Sequence, residues 1–251
     1  MLTLRTLGSI ELRDEAGRAA LSVLAQTKRL AVLIRLASSP GQRCRRDTLL
    51  GLFWPDHDSV HARGALRQAV RFLRRELGAG TLVSVGDEEL MLSSDAIACD
   101  VAGFAHALAK RHFEDALELY NGEFVPGMFV PSAAPEFDDW LDAERSRMRF
   151  AAIDSAVRLI ARAREGRNAE LALHWARRAV VLAPDDERLR QTLLRLLDEV
   201  GDRSGALRAY ETFAAYLRRE LDVEPSIATQ ALTAAIRGAG GKPANGVAGR
   251  A

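Results

Sequence analysis

The spacing of apolar residues changes several times over the first hundred positions and then keeps a helical period as far as Leu221. Alternation over Leu2 to Leu7 and Ile10 to Arg13 predicts two short strands separated by Gly8, and the turn chemistry of Asp14 to Gly17 ends the second. Gln26 to Ser39 carries Leu30, Leu33, Ile34 and Ala37 on one helical face and stops at Pro40 and Gly41. A shorter helix is expected from Arg46 to Trp54, capped by Asp47, with Leu49, Leu50 and Phe53 inward and Pro55 ending it. Asp56 to Val60 then forms a turn. The third helix runs from Ala62 to Leu77, with Leu66, Val70, Leu73 and Leu77 along one seam and Gly78 closing it. Thr81 to Val85 and Glu89 to Leu92 flank Gly86-Asp87-Glu88 as a hairpin.

Strands, three helices and a hairpin, in that order, describe a winged helix-turn-helix over residues 1–99. Beyond Asp100 the pattern gives helices over Val101 to Arg111, Phe113 to Tyr120, Glu136 to Glu165, Ala169 to Leu182, Glu187 to Val200 and Ser204 to Leu221. Ala172-Leu173 recurs as Ala206-Leu207, and Ala179 corresponds to Phe213, both at an offset of 34 residues, with Gly166 and Gly201 in the preceding turns. That offset is the period of tetratricopeptide hairpins; an irregular helical bundle is the alternative arrangement of the same helices. The fold class is therefore mainly α with a small β component, a winged helix-turn-helix followed over residues 100–237 by an all-α tetratricopeptide-like domain. Gly238 to Ala251, rich in Gly and Ala without a period, reads as a flexible tail or linker.

Charge adds a function to this outline. The net charge is only +1, but the stretch from Lys28 to Arg75 holds eleven basic residues against Asp47, Asp56 and Asp58, an excess of eight. The first 27 residues balance, so the chain after Arg75 carries a deficit of seven. At about 100° per residue, Arg63, Arg67, Arg71, Arg74 and Arg75 share one arc beside the leucine seam, with Gln68 at its far edge. Like charges three or four residues apart weaken a helix by a few tenths of a kcal/mol per pair. An anionic partner accounts for them better than water does, although a solvated helix exterior is the plainer reading. Such a helix fits the major groove of double-stranded DNA, where arginine presents two parallel donors to guanine, while the two preceding helices fix its angle. Arg45 and Arg46, beside Arg43, are candidate phosphate contacts or part of a solvated loop.

Other chemistries find no support. Cys44 and Cys99 have no CxxC spacing, which argues against a disulfide framework or a structural zinc site and suits a reducing cytoplasm. No signal peptide or membrane-length apolar run is present, so a soluble protein with no membrane partner is expected. His57 and His61 with Asp56 and Asp58 resemble a metal set only if helical, and Pro55 predicts a turn there. No phosphate-binding loop, nucleophile elbow or zinc-protease helix occurs, so no catalytic residue, metal or cofactor is expected. Trp140 and Trp175 fall among apolar neighbours and read as core.

Three stretches taken together resemble the SARP-type bacterial regulators: RRDTLLGLFWPDHDSVHARGALRQAVRFLRREL, YNGEFVPGMF followed by EFDDWLDAERSRMR, and GDRSGALRAYETFAAYLRRELDVEPS. The resemblance spans Leu2 to Ile236. It implies an OmpR-type winged helix followed by a bacterial transcriptional activator domain, in an activator that binds promoter repeats and recruits RNA polymerase. It also implies that Arg63, Arg67, Gln68, Arg71 and Arg74 face DNA, that Trp54 and Pro55 are structural, and that Asp100, Val101 and Phe104 enter the activator domain, whose first long helix starts near Glu136. Paired promoter sites would suit a homodimer. One departure is the hairpin tip, Gly86-Asp87-Glu88-Glu89, acidic where a wing entering the minor groove would carry Arg or Lys. The reading is thus a sequence-specific transcriptional regulator at the nucleoid; the alternative is a helical-repeat interaction or control module of a larger signalling protein, without DNA binding.

Overall fold

The computed structural model describes residues 1–239. It divides into two compact units, Met1–Ala152 and the residues from Ile153 onward. The change of pattern near Asp100 lies inside the first.

Strands β1 (Leu2–Arg5) and β2 (Glu11–Arg13) pair antiparallel, with Leu4 opposite Leu12. Both leucines are fully buried, so one face of this ribbon enters the core. Gly8, at φ 91°, separates them where Gly122 crosses; a Cβ at Gly8 would stand 2.7 Å from the Asn121 carbonyl oxygen, so only glycine fits. A third strand, β6 (Ile97–Cys99), joins β1 in parallel, Leu2 opposite Ile97 and Leu4 opposite Cys99.

Helix α1 (Leu21–Leu24) is a single turn, and α2 (Thr27–Ser38) buries Leu30, Leu33, Ile34 and Ala37 as their spacing requires. A 3-10 turn at Pro40–Gln42 leads to β3 (Arg43–Arg45), and α3 (Arg46–Phe53) follows at once. The expected cap by Asp47 is not formed: the N-cap position is Arg45, without a side-chain cap, and Asp47 lies in the first turn, where its charge favours the helix dipole. Helix α4 (Ser59–Leu77) starts earlier than its apolar seam suggests. The Asp58 carboxylate accepts from the backbone N–H groups of Val60 and His61 at 2.9 and 3.0 Å, so Ser59 and Val60 are helical rather than part of a turn. Strands β4 (Leu82–Val85) and β5 (Glu89–Leu92) form the hairpin, and β3 pairs on the far side of β5 to complete a second sheet in the order β3-β5-β4.

Helices α5 (Asp100–Ala109) and α6 (Phe113–Leu119) form a hairpin, and α7 (Pro135–Glu165) begins beside α3. Rings join these elements: Phe53 lies 5.2 Å from Phe137, which lies 5.5 Å from Trp140, and Trp140 meets Phe124 edge-on at 6.2 Å. Trp54, 9% exposed, is edge-on to Phe53 and is therefore a packing residue.

In the second unit, α8 (Ala169–Leu182), α9 (Glu187–Glu199), α10 (Arg203–Leu221) and α11 (Ile227–Ala239) pack each against the next. Three starts are capped by short polar side chains, Asn168, Asp186 and Asp202. The small Ala172, Ala176 and Ala179 are buried, as are Leu193, Leu197, Ala206 and Phe213, so the 34-residue echo pairs buried Ala172 with buried Ala206 and buried Ala179 with buried Phe213. Trp175 is partly buried beside His174, ring centroids 4.6 Å apart. Helix α11 has no counterpart in the expected elements, and it takes Gly238 and Ala239 into its last turn; the remainder of the expected tail, residues 240–251, lies outside the described residues.

Candidate nucleic-acid interface

Helix α4 is a two-sided element. Ala62, Leu66, Ala69, Val70, Leu73 and Leu77 are buried, while Arg63, Arg67, Gln68 and Arg71 are exposed on the other side. Leu66 is 2% exposed and Leu73 fully buried, which fixes the rotation of the helix about its axis and hence the direction of its arginines. Among the described residues, no hydrogen bond or ion pair engages Arg63, Arg67, Gln68 or Arg71. Four long polar side chains therefore stand open to a partner.

The other candidates are engaged to different degrees. Arg74 is half-buried and donates from Nε to the Leu82 carbonyl at 2.9 Å and from Nη2 to Ser84 Oγ at 3.4 Å. Arg46, the first residue of α3, donates to the same Ser84 Oγ at 2.9 Å. Arg75 turns to its neighbour Glu76, at 2.7 Å, and its guanidinium lies 5.2 Å from the Phe72 ring, which Arg29 also covers at 4.1 Å. Arg45 on β3 lies 3.3 Å from Glu88 of the hairpin tip and 3.9 Å from Asp47. These surface pairs contribute little to stability but lower the positive charge on offer at Arg45 and Arg75.

Two adjoining concavities result. One, of about 490 Å3, is lined by Arg46, Arg67, Gln68, Arg71 and Arg74 with Gly64 and Val70. The second, of about 560 Å3, lies toward the hairpin and sets Arg46, Arg63 and Arg67 opposite Asp47, Asp87 and Glu88. The structure thus brings Arg46, Arg63, Arg67, Gln68, Arg71 and Arg74 onto one surface, with Arg45 and Arg75 lining neither concavity. Ser84 was not among the residues singled out from sequence; only the sheet order, which lays β4 against the end of α4, sets it apart from other serines. Burial and the neighbouring Arg74 both push the Arg46 guanidinium below its ordinary range, and Asp87 opposes the shift.

The remaining reactive side chains are placed without chemistry in view. Cys44 and Cys99 are buried, and burial with the Asp100 charge pushes the Cys99 thiol up to about 12, which leaves it protonated and unreactive. His61 is on α4 rather than in a turn, with Nδ1 2.5 Å from the capping Asp58. Among the described residues no group of three His, Cys, Asp or Glu side chains could hold a metal ion. No described helix is long and apolar enough to cross a membrane.

Residues 90–237 match the family described as the bacterial transcriptional activator domain. No curated protein matches the sequence. Among solved structures, the chain is similar to Mycobacterium tuberculosis EmbR, recorded in complex with a low-affinity phosphopeptide. The two are 20% identical, with a TM-score of 0.56 over 97% of this chain and 66% of that one. The likeness is one of fold, a winged helix with small sheets followed by helices.

Proposed function

The chain belongs to the bacterial transcriptional activator domain family as a SARP-type transcriptional regulator, and from that premise we propose that it binds promoter DNA through the exposed face of α4. The observation that carries this reading is the set of open side chains Arg63, Arg67, Gln68 and Arg71 on a helix whose rotation is locked by Leu66 and Leu73. Arginine pairs with the O6 and N7 acceptors of guanine and glutamine with N6 and N7 of adenine, so this face carries the donors that major-groove reading needs. Residues 1–99 act as the DNA-binding domain and residues 100–237 as the activator domain. The latter meets RNA polymerase or a second copy of the chain, in keeping with the family resemblance. The protein acts in the cytoplasm at the nucleoid, by binding rather than by catalysis.

The acidic hairpin tip shapes the contact. Asp87 and Glu88 face Arg45 and Arg46 and would meet DNA phosphates as like charges, so the wing stays shallow and base reading concentrates on α4. Genome-wide mapping of bound DNA tests the proposal, because it reports occupancy, site sequence and half-site spacing together. Discrete promoter sites sharing a repeated motif support it. Enrichment no greater than that of untagged control cells would refute it.

A further inference from the structure

Where α4, the start of α3 and β4 meet, two guanidinium groups converge on one neutral hydroxyl. Arg46 Nη2 donates to Ser84 Oγ at 2.9 Å and Arg74 Nη2 to the same oxygen at 3.4 Å. The Nε of Arg74 is fixed on the Leu82 carbonyl at 2.9 Å, so this side chain is held in direction and cannot swing along the groove. A serine oxygen can accept both N–H groups, but it neutralises neither cation, and its own proton stays free to be donated outward. Among the described residues no carboxylate pairs with Arg74, and Arg46 is disfavoured in its charged form by burial and by Arg74 more than the Asp87 charge favours it. Two cations held together in this way are relieved when an anionic oxygen arrives.

Both arginines line the concavity that Arg67, Gln68 and Arg71 share, while Ser84 lines the adjoining one with Arg46, Asp87 and Glu88, so an anion is drawn to the side of the two arginines, next to the base-reading side chains. Phosphate contacts of this kind set the register of a recognition helix and carry no sequence information themselves.

We propose that Arg46, Arg74 and Ser84 form a clamp for one backbone phosphate of DNA, and that Arg74 is a positioning residue rather than a reader of bases. The inference rests on the DNA reading above. The two guanidinium groups and the Ser84 hydroxyl supply the donors to the phosphate oxygens, while Arg63, Arg67, Gln68 and Arg71 face the base edges.

The test uses the full chain, a duplex selected by the unaltered protein from a random pool, and a shuffled version of it, titrated between about 50 and about 200 mM salt. Each phosphate contact contributes about 0.9 to the slope of log affinity against log salt. R46Q is expected to flatten the slope by about 0.9, so that its loss of affinity is about threefold larger at the low-salt end. S84D keeps both arginines and places a carboxylate between them. It is expected to flatten the slope by about 0.9, the share of that one phosphate, with no loss of melting temperature. Both variants should weaken the two duplexes by the same factor. An unchanged slope, or a changed ratio of affinities between the duplexes, overturns the clamp while leaving the DNA reading intact. An unaltered protein that selects no duplex overturns both.

Discussion

The carboxylate of Asp100 accepts the backbone N–H of Thr6 at 2.8 and 2.9 Å and the Thr6 hydroxyl at 2.7 Å, across 94 residues of chain. It also accepts from Leu7 N at 2.9 Å and from its own neighbour Val101 N at 2.7 Å. One side chain thus starts α5 and closes β1, satisfying backbone donors that the ends of both elements leave unpaired. Removing it strands partly buried donors, each at about 1–3 kcal/mol. D100A is expected to lose about 2–4 kcal/mol of unfolding free energy, and D100N less, since its amide oxygen still accepts. Urea denaturation followed by circular dichroism checks both.

Scaffold and reading surface should separate cleanly on α4. Leu66 is 2% exposed, and L66A is expected to cost about 2–5 kcal/mol, with DNA binding lost through unfolding. R67A, at an exposed and unpaired position, should leave the unfolding free energy within about 0.5 kcal/mol of the starting protein. Thermal denaturation of the two variants side by side gives the answer.

Neutralising the hairpin tip should improve DNA binding. E88Q releases Arg45 from its 3.3 Å contact and removes a negative charge facing the groove. A gain of about two- to fivefold at low salt is expected, fading as salt screens the charge, with stability unchanged because the pair is exposed. A salt series of anisotropy titrations measures it.

A carboxylate clasp makes the second unit sensitive to acid. Glu187 at the start of α9 accepts Ser226 N at 2.9 Å, Ser226 Oγ at 2.5 Å and Thr229 Oγ1 at 2.5 Å, holding the start of α11. Burial acts to raise its pKa, but the hydrogen bonds from Ser226 and Thr229 outweigh it and leave the carboxyl below the usual range. A carboxyl lowered by folding stabilises the folded state above its unfolded pKa, near 4.3, and the contribution disappears as pH falls through the folded value. The stability difference between the unaltered protein and E187Q is therefore expected to be full at pH 7 and to shrink below about pH 4.3. Denaturation at several pH values follows it.

Much of this architecture is visible in the apolar pattern. Helices α7 to α10 start and stop within one residue of the expected bounds, because thirteen or more residues of helical pattern leave little freedom. Helix α11 escapes because it opens on Ile227, 86% exposed, and its small Ala and Thr residues run on into the Gly- and Ala-rich stretch that follows. Strands β3 and β6 are three residues each, and β6 finds its partner at the opposite end of the first unit, where no local pattern points. The arginine arc followed from angle alone. Angle does not report pairing, however, and so could not distinguish open Arg67 and Arg71 from Arg75 beside Glu76 or Arg45 beside Glu88. Ser84 acquires its place only through sheet order.

The exposed face of α4 is tested most directly by equilibrium titration of a duplex selected by the unaltered protein, comparing that protein with a variant carrying R67A and R71A together. Each base-reading arginine lost should cost about 1–3 kcal/mol, so the double variant is expected to bind at least about thirtyfold more weakly and to lose its preference over shuffled DNA, at an unchanged melting temperature. Equal affinity and equal preference in the folded double variant would contradict the assignment of α4 as the element that reads DNA.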